Sequence, residues 1–128
     1  MRTVRVTRAQ GSFAQEISVG SLKVLSDVPI GDGGGDQGPS PHEYLAASLG
    51  SCTAMTMLMY ARRKDWPLEN SEVEVSIEET PGRATFVRKI HLIGPLDETQ
   101  KQRLLEIADR CPVHKVLSGQ IKIETKAV

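Results

Sequence analysis

Apolar and polar residues alternate from the start of the chain: Val4 and Val6 stand against Arg5 and Arg8, the period of a half-buried strand. A second strand pattern runs from Phe13 to Val19 and a third from Leu22 to Leu25, with Val19-Gly20-Ser21 as the hairpin turn between them. Gly31 to Gly38 is a glycine-rich run that predicts a loop without regular structure. Ser40 then caps a helix whose first residue is Pro41, with Glu43 at the capping-box position. From Tyr44 to Ala61 no residue is charged, and Arg62, Arg63 and Lys64 close the segment.

Trp66-Pro67-Leu68 leaves that helix, and Glu72 to Glu78 alternates cleanly as a strand. Thr80 to Arg83 supplies a turn, and Thr85 to Ile93 a partner strand. Asp97 and Gln100 form a capping box for a second helix with an apolar stripe of Leu104, Leu105, Ile107 and Ala108. Pro112 is expected to stop that helix just after Cys111, and Ile121, Ile123 and Thr125 predict a last strand. Three strands, a helix, two strands, a helix and a strand make an α+β chain. With 128 residues it is expected to form one domain, 1–128.

The uncharged segment approaches the roughly 20 apolar residues that a membrane span needs. Ser48, Gly50, Ser51, Thr53 and Thr56 dilute it, so the expectation is a buried central helix and no membrane association. Sixteen basic and sixteen acidic residues cancel, so no overall field draws the chain to nucleic acid. One tryptophan, two tyrosines and two phenylalanines are too few for a base-stacking surface. The N-terminus has no apolar signal-peptide stretch, which points to a reducing, cytoplasmic setting in which a structural disulfide is disfavoured.

Cys52 and Cys111 are therefore either small buried hydrophobes or working thiols. Gly50 could interrupt the first helix and leave Cys52 near a fresh N-terminus, where the dipole favours a thiolate. Cys111 is expected at a helix end, where the dipole favours the neutral thiol. If one attacks and the other resolves, Cys52 is the attacker. His114 completes a Cys-x-x-His, half of a zinc site that would need Cys52 and one of His42, Glu43 or His91; structural zinc normally shows two paired knuckles. The glycine run lacks the Lys-Ser/Thr ending of a phosphate loop. Leu49, Met55 and Met59 offer Cys52 an apolar wall.

Two stretches resemble the OsmC/Ohr family of osmotically inducible and organic-hydroperoxide-resistance proteins. The first is Gly38-Pro39-Ser40-Pro41-His42-Glu43-Tyr44-Leu45 continuing through Leu49-Gly50-Ser51-Cys52-Thr53-Ala54-Met55-Thr56. The second is Ala108-Asp109-Arg110-Cys111-Pro112-Val113-His114. The resemblance implies an intertwined homodimer, antiparallel sheets wrapped around central helices, with two sites at the interface. It implies a thiol peroxidase that acts on organic hydroperoxides without metal or other cofactor. Cys52 would become a sulfenic acid, Cys111 would condense with it to a disulfide, and an external dithiol would reduce that. The family's active members carry glutamate directly after the proline; here His42 holds that place and Glu43 follows, so both are site candidates. They also carry an arginine from the N-terminal strands, and no arginine occurs between Arg8 and Arg62. The rival functions are a non-enzymatic dimeric protein binding an apolar ligand and a thiol–disulfide oxidoreductase.

Overall fold

The N-terminal alternation becomes a three-stranded antiparallel sheet of β1 (Val4–Arg8), β2 (Gln15–Val19) and β3 (Leu22–Ser26), in a computed structural model that describes residues 1–128. Register sets the faces. Val4 pairs Val19, Val6 pairs Ile17, Ile17 pairs Val24 and Val19 pairs Leu22, so six aliphatic side chains share one face. Val4, Val6, Leu22 and Val24 are nevertheless exposed. Gly20, at φ 60°, takes the first position of the two-residue β2–β3 turn, where a side chain would be strained.

The glycine run after β3 is more ordered than its composition predicts, and it holds a short 3-10 turn at Ile30–Asp32. The cause is Asp27, a buried residue whose carboxylate accepts from the backbone N–H groups of Val28 (2.7 Å), Gly35 (3.1 Å) and Gln37 (3.1 Å). Gly34 lies where a Cβ would overlap the carbonyl of Val28, so the loop closes only around glycine.

Next comes α1 (Pro41–Arg63), continuous over 23 residues. The expected capping box starts it: Ser40 N donates to Glu43 Oε1 (2.9 Å) and Glu43 N to Ser40 Oγ (3.3 Å). The chain divides into two compact units, Met1–Leu45 and Ala46–Val128, with the boundary inside this helix.

In the second unit, β4 (Asn70–Thr80) and β5 (Arg83–Ile93) form a long antiparallel hairpin, in register from Asn70–Ile93 to Thr80–Arg83. Pro81-Gly82 makes its turn, with Gly82 at φ 73°. α2 (Glu98–Ala108) begins at the Asp97/Gln100 capping box as expected. Met57 and Ala61 of α1 pack with Leu68, Leu96, Leu104 and Ala108 to form the core, with Trp66, Val73, Ile90 and Leu92 around it.

Three local expectations are corrected. Gly50 does not interrupt α1. A Cβ there would meet Val75 Cγ2 at 3.4 Å and Val73 O at 3.8 Å, ordinary contact distances, so Gly50 sits inside the helix as a residue packed against β4. Pro112 does not end α2, which stops at Ala108; it opens a further helix, α3 (Pro112–Ser118), because proline is suited to the first helical position. The predicted strand at Ile121–Thr125 does not form: residues 120–128 have no regular structure, since no strand of the chain pairs with them. No helix is long and apolar enough to cross a membrane.

Candidate functional site

Cys52 lies in the middle of α1, partly exposed, and Cys111 is fully buried; both are free thiols. The uninterrupted helix removes the helix-start argument for Cys52. Cys111 is displaced in the opposite sense, because it is the N-cap of α3. Its sulfur accepts from the backbone N–H of His114 at 3.3 Å, and its carbonyl accepts from Lys115 N at 3.2 Å. Cys111 thus faces the positive end of α3 and not the negative end of α2. The Cys-x-x-His spacing is cap geometry, and no group of three or more His, Cys, Asp or Glu side chains is placed to hold a metal ion.

Thr53, the residue after Cys52, carries Cys111 to this turn of α1. Its hydroxyl is fully buried and lies 4.0 Å from Cys111 Sγ. It donates to Leu49 O at 2.7 Å and accepts from Arg88 at 3.0 Å. Sequence reasoning missed Arg88. Its guanidinium also donates to Ala108 O (3.3 Å) and to Asp109 Oδ1 (2.6 Å). Asp109 Oδ1 in turn lies 3.9 Å from His114 Nδ1. No arginine occurs between Arg8 and Arg62, and the guanidinium beside Thr53 comes from β5.

The signal for Arg88 was present in the strand pattern. Phe86, Arg88, Ile90 and Leu92 alternate onto one face, and Arg88 pairs with the inward-facing Val75. A charge at an apolar-face position needs partners, and these turn out to be Thr53, Ala108 and Asp109. Arg88 and His114 also border a cavity of about 500 Å³ with Leu49, Phe86 and Leu117.

His42 and Glu43 belong to the first turn of α1, within the first unit. Glu43 is engaged in the cap, and the bond from Ser40 N holds its carboxyl below the ordinary range. His42 is exposed. Of the proposed apolar wall, Leu49 is buried and Met55 and Met59 are exposed on α1.

The chain is an α+β protein with one free cysteine on a long helix and a second, buried free cysteine beside Thr53 of the same helix. The family model described as OsmC-like protein matches residues 33–126, and the chain belongs to that family. Among solved structures it resembles a Psychrobacter arcticus protein assigned to osmotic stress induction and detoxification, with a TM-score of 0.77 and 24% identity over 91% of this chain and 88% of that one. It resembles the OsmC organic hydroperoxide resistance protein of Legionella pneumophila at TM-score 0.70 and 20% identity, covering 93% and 90%. The organic hydroperoxide resistance protein OhrB of Bacillus subtilis matches at TM-score 0.57 and 26% identity, covering 91% of each. A search of curated proteins finds no match.

Proposed function

We propose that this chain is a cysteine-based peroxidase that reduces organic hydroperoxides. Cys52, the more accessible thiol, attacks as thiolate the O–O bond of the hydroperoxide; with one proton taken up, it becomes a sulfenic acid and the alcohol leaves. The Cys111 thiol then condenses with the sulfenic acid, a disulfide forms and water leaves. An external dithiol reduces that disulfide and becomes a disulfide itself. Arg88 is the cation of the site and Asp109 orients it.

The observation that carries this reading is the placement of Cys111: a buried free thiol against Thr53, the residue that follows Cys52 on α1. The names of the Legionella and Bacillus relatives, both organic hydroperoxide resistance proteins, agree with it. We read residues 1–128 as a single domain that works in the cytoplasm as a homodimer. Two surfaces support the dimer: the aliphatic face of the first sheet, and the exposed Leu45 and Met55 on the same helix as Cys52. Exposed aliphatic side chains of this kind are what obligate interfaces cover.

The test is consumption of cumene hydroperoxide in the presence of a small dithiol, with mass spectrometry of the cysteine peptides. Wild type turns over, Cys52→Ser does not, and Cys111→Ser leaves a sulfenic acid on Cys52. Turnover that survives Cys52→Ser would overturn the mechanism.

A further inference from the structure

Although the chain is neutral overall, its charges are not evenly spread. Where the last turns of α1 face α2, a groove of about 760 Å³ is lined by Arg63, Lys64, Arg103 and Arg110, and none of its lining residues is acidic. Only Arg103 has an ion-pair partner, Glu106, at 3.0 Å. The other three cations converge on the groove without a carboxylate. Tyr60 lies among them: Arg63, Lys64 and Arg103 stand 5.9, 5.7 and 5.5 Å from its ring centroid, and Arg103 Nε donates to its hydroxyl at 3.1 Å. The remaining walls are apolar, with Met59, Ile107 and Pro112.

Four cations with one carboxylate among them repel one another, and an anion between them reduces that cost. The Tyr60 hydroxyl already responds to the same field: Arg103, first through its hydrogen bond, holds the phenol below its ordinary pKa. A small inorganic ion would satisfy the charges and leave the exposed Met59 and the half-buried Tyr60 ring in water. The volume lies in the range of small-molecule sites, roughly 300–1,000 Å³.

We infer that the groove between α1 and α2 is a binding site for an organic anion, with its carboxylate or phosphate held by Arg63, Lys64, Arg103 and Arg110 and its apolar part on Met59 and the Tyr60 ring. This goes beyond the redox reading and does not depend on it, because occupancy can be read without turnover. Trp66, the single tryptophan, packs edge-on against Tyr60 at 5.5 Å and reports on the groove.

The experiment titrates Trp66 fluorescence of the full chain with octanoate, octyl phosphate, 1-octanol and inorganic phosphate. Octanoate or octyl phosphate should bind about tenfold tighter than 1-octanol, since charge-assisted contacts are the stronger ones. The tighter of the two anions names the head group. Inorganic phosphate should bind more weakly than either. The double variant Lys64→Gln, Arg110→Gln, both exposed positions, should lose about tenfold in anion affinity and keep its 1-octanol affinity, with an unchanged circular dichroism spectrum. Both octanoate and octyl phosphate binding no tighter than 1-octanol, no binding of either anion, or inorganic phosphate binding as tightly as the tighter anion would overturn the site.

Discussion

Arg88→Met separates what this arginine does for stability from what it does for chemistry. The Arg88 side chain is 13% exposed, whereas that of its partner Asp109 is 66% exposed. Removing Arg88 leaves no orphan. Asp109 is free to hydrate, Thr53 still donates to Leu49 O, and Ala108 O still accepts from Cys111 N at 3.2 Å. Methionine fits an inward position between Phe86 and Ile90, and exchanging a largely buried ion for an apolar side chain of similar length is often neutral. A half-exposed pair is itself worth about 0.2–1 kcal/mol. Arg88→Met should therefore change stability by less than about 1 kcal/mol. Asp109→Ala is the unequal converse. It strands a guanidinium that has lost its shortest bond and should cost about 1.5–3 kcal/mol, the range for hydrogen bonds to charged groups. Urea unfolding followed by Trp66 fluorescence, at one fixed protein concentration, gives both values. Hydroperoxide turnover should rank them the other way, with Arg88→Met the more severely impaired. A loss above about 3 kcal/mol for Arg88→Met would make the arginine a structural pin, and undiminished turnover would remove it from the site.

Other outcomes follow from burial and bonding. A maleimide added to native protein should label Cys52 well before the fully buried Cys111; equal rates by mass spectrometry would contradict the observed burial. Sedimentation should give twice the 14.0 kDa chain mass, and Val6→Glu with Val24→Glu should shift it to monomer by charging the aliphatic face; a stable wild-type monomer at micromolar concentration removes the dimer. The bonds from Val28, Gln37 and Gly35 hold the Asp27 carboxyl below its ordinary value, against the opposing pull of burial. Its contribution is thus complete above the ordinary carboxylate pKa and is lost as pH falls through the lowered one. Protection of the Gly35 and Gln37 amides from hydrogen exchange should persist at pH 5 and vanish in Asp27→Asn at every pH; persistence in the variant would show that the loop holds itself.

Where the sequence was legible, the cause was local and repeated. Alternation in β4 and capping boxes at Ser40/Glu43 and Asp97/Gln100 each rest on residues a few positions apart, and the structure has all three. Ile121 and Ile123 alternate just as well but have no partner strand within the chain, and a strand is not a local object. Proline was read the wrong way at 112 because it both follows a helix and starts one; the capping sulfur of Cys111, an unusual cap, decided the matter. Arg88 was invisible to motif reading. It acts through residues distant in sequence, and only its place on an apolar strand face betrays it.

The reversal at Cys111 changes how a two-thiol cycle would have to move. α1 is continuous over 23 residues, and around Gly50 it stands at ordinary contact distance from Val75 and Val73. α3 is the opposite: seven residues, none of them buried, begun by the very cysteine that must react. Helices this short draw little stability from their own hydrogen bonds. The Cys111 sulfur spends its acceptor capacity on His114 N, and turning that sulfur toward Cys52 breaks the cap. In the proposed cycle the thiol state of Cys111 and the first turn of α3 are therefore one equilibrium. In that cycle reduction would restore the cap and re-form the helix start, while oxidation would release it. His114, whose ring lies near Asp109 and borders the cavity shared with Arg88, moves with that turn. The resolving half of the proposed cycle would then reach the arginine through the backbone of α3.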